Sequence, residues 1–77
     1  VLINCRVKKR RELELIPGYR ELVQKITDEL NGNGRVFVRF SGTEPVLRIL
    51  VEGPDKVLIN QYAAEIAEFL ENHLSEL

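Results

Sequence analysis

The stretch from Arg35 to Glu52 constrains this chain more than any other. Arg35–Phe40 alternates Val36, Val38 and Phe40 with Arg35, Phe37 and Arg39, and Leu47 to Glu52 is rich in Leu, Ile and Val. Both runs read as strands. Residues 41–46 between them contain Gly42 and Pro45 and read as a loop. If Phe40 faces Leu47, the remaining pairs are Arg39 with Arg48, Val38 with Ile49, Phe37 with Leu50, Val36 with Val51 and Arg35 with Glu52. Side chains alternate faces along a strand, so Val36, Val38, Phe40, Leu47, Ile49 and Val51 share one apolar face. Arg35 and Glu52 then meet as opposite charges on the other.

One pair in this register is unfavourable. Arg39 faces Arg48, and like charges directly opposed across strands repel. A hairpin that pairs every other position sensibly and leaves two guanidiniums together invites an anion between them. The loop supplies what an anion needs. Ser41 and Thr43 carry hydroxyls, Gly42 permits positive φ and close backbone approach, and successive backbone N–H groups can form a concave anion site. The planar guanidinium of Arg39 matches phosphate geometry better than an ammonium would. Pro45 stiffens the exit. Glu44 is the awkward member, suited to bracing an arginine, bonding loop amides or meeting a ligand hydroxyl. The other reading of Ser41-Gly42-Thr43 is an ordinary turn closed by side-chain-to-backbone bonds. No Gly-Lys-[Ser/Thr] is present, so this is not a Walker loop.

The rest of the chain surrounds the hairpin. Residues 1–8 read as a strand, with Ile3, Cys5 and Val7 against Asn4, Arg6 and Lys8; the continuous apolarity of its first residues suits a strand covered on both sides. Residues 9–16 could extend it or lie as an arm across the sheet. After Pro17-Gly18, the residues Tyr19, Leu22, Val23, Ile26 and Leu30 recur at helical spacing, predicting a helix over about 18–30 that Asn31-Gly32-Asn33-Gly34 ends. Gly53-Pro54-Asp55 turns the chain, with Asp55 placed to cap a second helix. Ile59, Tyr62, Ala63, Ile66, Phe69, Leu70, Leu74 and Leu77 mark that helix, and Glu65, Glu68 and Glu71 its wet side. The order is β-α-β-β-α. The class is α+β, an antiparallel sheet with two helices on one face.

Composition narrows the setting. Seventy-seven residues make one small domain with a thin core, 44% hydrophobic and 30% charged. No apolar run is long enough to span a membrane. One cysteine, Cys5, and one histidine, His73, exclude an internal disulfide and a Cys- or His-based metal cluster. A net charge of −1 does not favour nucleic acid. The chain opens on Val1 without a targeting segment and holds no Met, which suggests a domain of something longer in a reducing cytoplasm. The run Lys8-Lys9-Arg10-Arg11 and the acidic last third read as solvated faces.

Arg39-Phe40-Ser41-Gly42-Thr43-Glu44-Pro45, followed by Leu47-Arg48-Ile49 and Val51-Glu52-Gly53, resembles the phosphate-binding loop of the α-D-phosphohexomutases, whose pattern is roughly R-x-S-G-T-E-P-x-x-R-[VI]. The opening residues 1–7, Gly34-Arg35-Val36 and the helix after Gly53 fall where the C-terminal, fourth domain of that family has them. The Glu44-Pro45 version looks most like the bacterial phosphoglucosamine mutase branch, with the phosphomannomutase/phosphoglucomutase branch close behind. The resemblance implies a TATA-binding-protein-like β-α-β-β-α layer. It implies a mutase that moves a phosphoryl group between the 6- and 1-positions of a hexose or hexosamine phosphate, through a phosphoserine, a bisphosphorylated sugar and Mg²⁺. By the same match Arg39, Phe40 (through its backbone), Ser41, Gly42 and Thr43 would cradle the phosphate that is not reacting. Arg48 would be a second guanidinium or a brace. No phosphoserine motif and no Asp cluster for Mg²⁺ stands in these 77 residues, so the resemblance places no catalytic residue and no metal ligand here and makes the other domains of the enzyme the partners.

A different class of function competes for the same strand. Gly34-Arg35-Val36-Phe37-Val38-Arg39-Phe40 partly echoes the signature of RNA recognition motifs, without its leading aromatic and second glycine. Elsewhere Cys5 reads as a small buried hydrophobe, Tyr62 and Phe69 as core, and His73 and Ser75 as solvated helix residues. Phe37 and Leu50, on the arginine face, are candidates for an interdomain contact.

Overall fold

A computed structural model describes residues 1–7 and 10–74; Lys8, Lys9, Ser75 and Leu77, named above, lie outside the described residues. The elements are β1 (Leu2–Arg6), a single 3-10 turn (Leu13–Leu15), α1 (Tyr19–Leu30), β2 (Arg35–Phe40), β3 (Val46–Glu52) and α2 (Lys56–Leu74). They form an α+β fold with one antiparallel sheet of order β1-β3-β2. β1 and β2 both run against β3, so β3 is inserted between two parallel strands joined through α1. This is a split β-α-β arrangement closed by a hairpin.

The hairpin register is the one the alternation predicts, from Arg35 opposite Glu52 to Phe40 opposite Leu47. Its charged end is closed by Arg35 Nε, 2.7 Å from Glu52 Oε1. Leu47, Ile49 and Val51 of the central strand are wholly buried, because β1 and β2 flank them and the helices cover them. Cys5 of β1 and Ile26, Leu30, Ile59, Ala63, Ile66, Leu70 and Leu74 of the helices complete the core, and Tyr62 and Phe69 pack half-buried at its margin. Both helices thus occupy one face. The other face is open and carries Leu2, Asn4, Arg6, Phe37, Arg39 and Arg48, all exposed, with Leu50 half-buried. β1 was expected to be covered on both sides. It is instead an edge strand with Leu2 56% exposed, since no element lies over the open face among the described residues.

Local sequence sets the ends. Asn31 adopts a left-handed conformation at φ 52° and its N–H donates to the Asp28 carbonyl; Gly32 follows at φ 79°. Gly34 is required for another reason: a Cβ there would run into the Glu52 carbonyl oxygen of the neighbouring strand. Asp55 caps α2 as predicted, its Oδ1 accepting from the N–H groups of Val57 at 3.0 Å and Leu58 at 3.2 Å. The segment after β1 does not extend the strand as far as it is described; it passes to the far edge of the sheet, where Arg10 meets Phe40 and Ser41 at the end of β2, as the arm reading expects. Leu13–Leu15 coil into one turn against α1, which Ile16 anchors by near-complete burial.

Candidate functional site

The hairpin end opposite the Arg35–Glu52 pair is where the arginines gather. Arg39 and Arg48 are cross-strand partners on the open face, and neither makes an ion pair among the described residues. The Arg39 guanidinium lies 5.6 Å from the centre of the Phe37 ring, a cation–π contact that leans it along the sheet. A cavity of about 340 Å³ opens beside these two side chains, lined by Arg39, Phe40, Ser41, Gly42 and Arg48. Arg39 and Arg48 also line a neighbouring hollow of about 300 Å³ with Leu2, Arg35, Phe37 and Leu50, so the loop cavity and the open face are continuous.

The turn is closed from within. The Ser41 N–H donates to the Val46 carbonyl at 2.8 Å, and the Val46 N–H to the Glu44 carbonyl at 2.7 Å. The Ser41 hydroxyl donates to the Glu44 carbonyl at 2.9 Å and accepts the Glu44 N–H at 3.2 Å. Pro45 ties the turn to β1 through the Val7 N–H, 2.9 Å from its carbonyl. These bonds use the amides of Ser41, Glu44 and Val46. The adjacent N–H groups of Gly42 and Thr43 have no acceptor among the described residues. Gly42, with its unbonded amide, lines one cavity with two guanidiniums that make no ion pair among the described residues, a patch of positive potential.

Three expectations change in detail. Gly42 does not adopt a positive φ; among the described glycines only Gly18 and Gly32 do. Ser41 closes this turn with its side chain, so no left-handed residue is needed. The Ser41 hydroxyl directs its proton inward, into the turn, rather than outward. Thr43 is exposed and stands outside the cavity lining, as does Glu44. One residue escaped the sequence reading. Arg10, from the basic run, reaches back to the loop and donates from Nη1 to the Ser41 carbonyl at 2.8 Å. Its guanidinium also lies 5.3 Å from the centre of the Phe40 ring. No local pattern links positions 31 residues apart.

Residues 2–69 match the family described as phosphoglucomutase/phosphomannomutase, C-terminal domain. The chain belongs to that family. Among its relatives, the phosphoglucosamine mutase of Bdellovibrio bacteriovorus is 61% identical over 97% of this chain. Those of Syntrophotalea carbinolica and Geobacter metallireducens are 45% and 42% identical, each over 96% of it. In all three the match covers 16% of the relative's length, so the chain spans about one sixth of these mutases. The resemblance drawn from Arg39 to Gly53 therefore leads to the right family and, within it, to relatives of the phosphoglucosamine mutase kind.

Proposed function

We propose that this chain is the C-terminal phosphate-binding domain of a phosphohexomutase of the phosphoglucosamine mutase kind. The parent enzyme would interconvert 6-phospho and 1-phospho hexosamine through a phosphoserine and a bisphosphorylated intermediate, as an isomerase of the cytoplasm. A C-terminal domain of the phosphomannomutase/phosphoglucomutase kind is the alternative, and the names of the relatives favour the first. Arg39, the Phe40 backbone, Ser41, Gly42, Thr43 and Arg48 form the proposed grip for the substrate phosphate that is not reacting.

The observation that carries this reading is the coincidence of unbonded donors. The Gly42 and Thr43 amides and the Arg39 and Arg48 guanidiniums lie at one hairpin end, and none has a hydrogen-bond acceptor or ion-pair partner among the described residues. The Ser41 hydroxyl would contribute by shaping the turn, and by turning outward on binding. Such a grip reads phosphate rather than sugar stereochemistry, which suits a substrate that must be held in two orientations. Binding at a remote phosphate supplies orientation, so losing it should lower turnover as well as affinity. The described residues contain no group of three His, Cys, Asp or Glu side chains able to hold a metal ion. The family resemblance assigns any Mg²⁺ used by the full-length enzyme, and the phosphoserine, to other domains. No described helix is long and apolar enough to cross a membrane.

The test is a ¹H–¹⁵N NMR titration of the chain with inorganic phosphate, hexosamine 6-phosphate and single-stranded RNA. The two phosphates should move the Gly42 and Thr43 amides saturably, at roughly millimolar strength for so few contacts, and RNA should not. Shifts with RNA alone would overturn the reading in favour of the rival. The chain by itself should show no mutase turnover above a no-protein control.

A further inference from the structure

We infer that Arg10 is a positioning residue for the anion grip, holding the Ser41–Gly42 peptide so that the Gly42 N–H points at the bound phosphate; this rests on the phosphate-binding reading above.

The inference starts from peptide geometry. A trans peptide is planar, and its C=O and the following N–H point in opposite directions. The Ser41 carbonyl and the Gly42 N–H belong to one such unit. Arg10 Nη1 fixes the carbonyl at 2.8 Å. The Gly42 N–H is therefore turned to the opposite side of the peptide plane. The two sides of the hairpin differ. Arg10 stacks on Phe40, whose side chain belongs to the face that packs against the core, whereas Arg39 and Arg48 stand on the open face. The carbonyl is held from the Phe40 side, and the amide is left to the cavity that Gly42 lines with Arg39 and Arg48.

Without that brace the peptide would be free to turn. The Ser41 carbonyl accepts no other hydrogen bond among the described residues. Gly42 has no side chain, and an added Cβ there would meet open space, so local packing does not fix the orientation either. A flipped peptide would present a carbonyl oxygen to the anion in place of a donor. The brace also acts electronically: a cation on the carbonyl polarises the peptide and strengthens its N–H as a donor. Arg10 contributes in a third way, as a positive charge near the site. This contribution is screened by salt, whereas orientation of the peptide is not.

The experiment compares the 77-residue chain with Arg10→Met and Arg10→Lys, using inorganic phosphate as the probe at low and at high sodium chloride. Arg10→Met keeps an unbranched side chain at this position and removes the donor. The unmodified chain should bind phosphate with shifts at Gly42 and Thr43. Arg10→Met should bind about tenfold or more weakly, the scale of one lost hydrogen bond to a charged group, and the deficit should persist at high salt. Its melting temperature should be unchanged, since the Arg10 side chain is exposed. Arg10→Lys, which can still donate to the carbonyl, should recover most of the affinity. Before any phosphate is added, Arg10→Met should already shift the Gly42 amide ¹⁵N resonance, and Arg10→Lys much less. If Arg10→Met titrates like the unmodified chain, or if its deficit vanishes at high salt, Arg10 does not position the loop. If the unmodified chain does not respond to phosphate at all, the phosphate-binding reading itself fails, and the inference with it.

Discussion

Arg39 lies directly opposite Arg48 across the β2–β3 ladder, and no carboxylate neutralises either of them among the described residues. The next charged pair along the same face, Arg35 and Glu52, is closed at 2.7 Å. A hairpin able to place a carboxylate opposite an arginine at one end has placed a second arginine at the other. The opposed cations cost the free domain a little stability and prepare it for an anion.

Replacing Arg48 by Thr should separate those two effects. Relief of the cross-strand repulsion should stabilise the free chain slightly, by about 0.2–1 kcal/mol. Phosphate affinity should fall about tenfold, the scale of a lost charge-assisted bond. Phosphate should also raise the melting temperature of the unmodified chain more than that of Arg48→Thr, because a ligand that binds only the folded state stabilises it by mass action. Thermal unfolding with and without phosphate checks both. An Arg48→Thr chain that melts lower and binds equally well would make the arginine a structural residue.

Two glycines should behave oppositely when each becomes Ala. At Gly42 the new methyl group meets nothing within 4 Å and φ is not positive, so the fold should keep its stability to within about 0.5 kcal/mol. The methyl group would nonetheless stand beside the unbonded amides, and phosphate binding should weaken. At Gly34 the methyl group runs into the Glu52 backbone carbonyl, which cannot yield as a side chain would. That change should cost about 1–3 kcal/mol or more. Urea unfolding of the two variants, with a phosphate titration of Gly42→Ala, decides the matter. A large loss of stability at Gly42 would mean that the turn itself demands glycine.

The contrast between these glycines shows what the sequence could and could not convey. The hairpin register was legible because alternation, the Arg35–Glu52 pair and the apolar triplets all require the same alignment. The ends of α1 and α2 were legible from Asn31 and Asp55, whose side chains and backbone preferences act within a few residues. Gly42 permits a positive φ, and the sequence alone left that open beside an ordinary turn closed by side-chain bonds. Here the Ser41 hydroxyl closes the turn, a choice fixed by hydrogen-bond geometry rather than by composition. Arg10 was illegible for a different reason. Its contact with Ser41 depends on how the nonperiodic segment between β1 and α1 folds back, and nothing local records that path.

The open sheet face should tolerate polar substitution in the free chain. Phe37 is 49% exposed beside Leu2, Leu50 and the arginines. Phe37→Ser should therefore change stability by no more than about 1 kcal/mol. Ile49, its neighbour on the buried side of the hairpin, is wholly buried, and Ile49→Ala should cost about 2–5 kcal/mol. If the chain is a domain of the proposed full-length mutase, Phe37→Ser should weaken its seating on the other domains, seen as a lower melting temperature of the whole protein but not of the chain alone. A fall as large as that of Ile49→Ala in the free chain would instead place Phe37 in the core.

Stability should decline in the alkaline range through three groups, Cys5, Tyr19 and Tyr62. Burial pushes the Cys5 thiol above its ordinary value of 9.0, with the Glu71 carboxylate acting in the same direction. Burial, and then Glu14, push the Tyr19 phenol above its ordinary 10.0. Tyr62, beside Glu29, is raised as well. In each case the unfolded chain loses its proton at a lower pH than the folded one. The folded state then binds more protons, and stability falls as pH rises. Below the ordinary thiol value the contribution is complete and the profile is flat. The decline begins as pH passes 9.0, where only the unfolded thiol ionises, and continues through the range of the tyrosines. Cys5→Ala should lower overall stability through the cavity it leaves, but it should also move the onset of the decline up toward the tyrosine range. Chemical unfolding at a series of pH values from about 7 to 11 measures the onset in both chains. If Cys5→Ala and the unmodified chain begin to lose stability at the same pH, the thiol is not the group that titrates first.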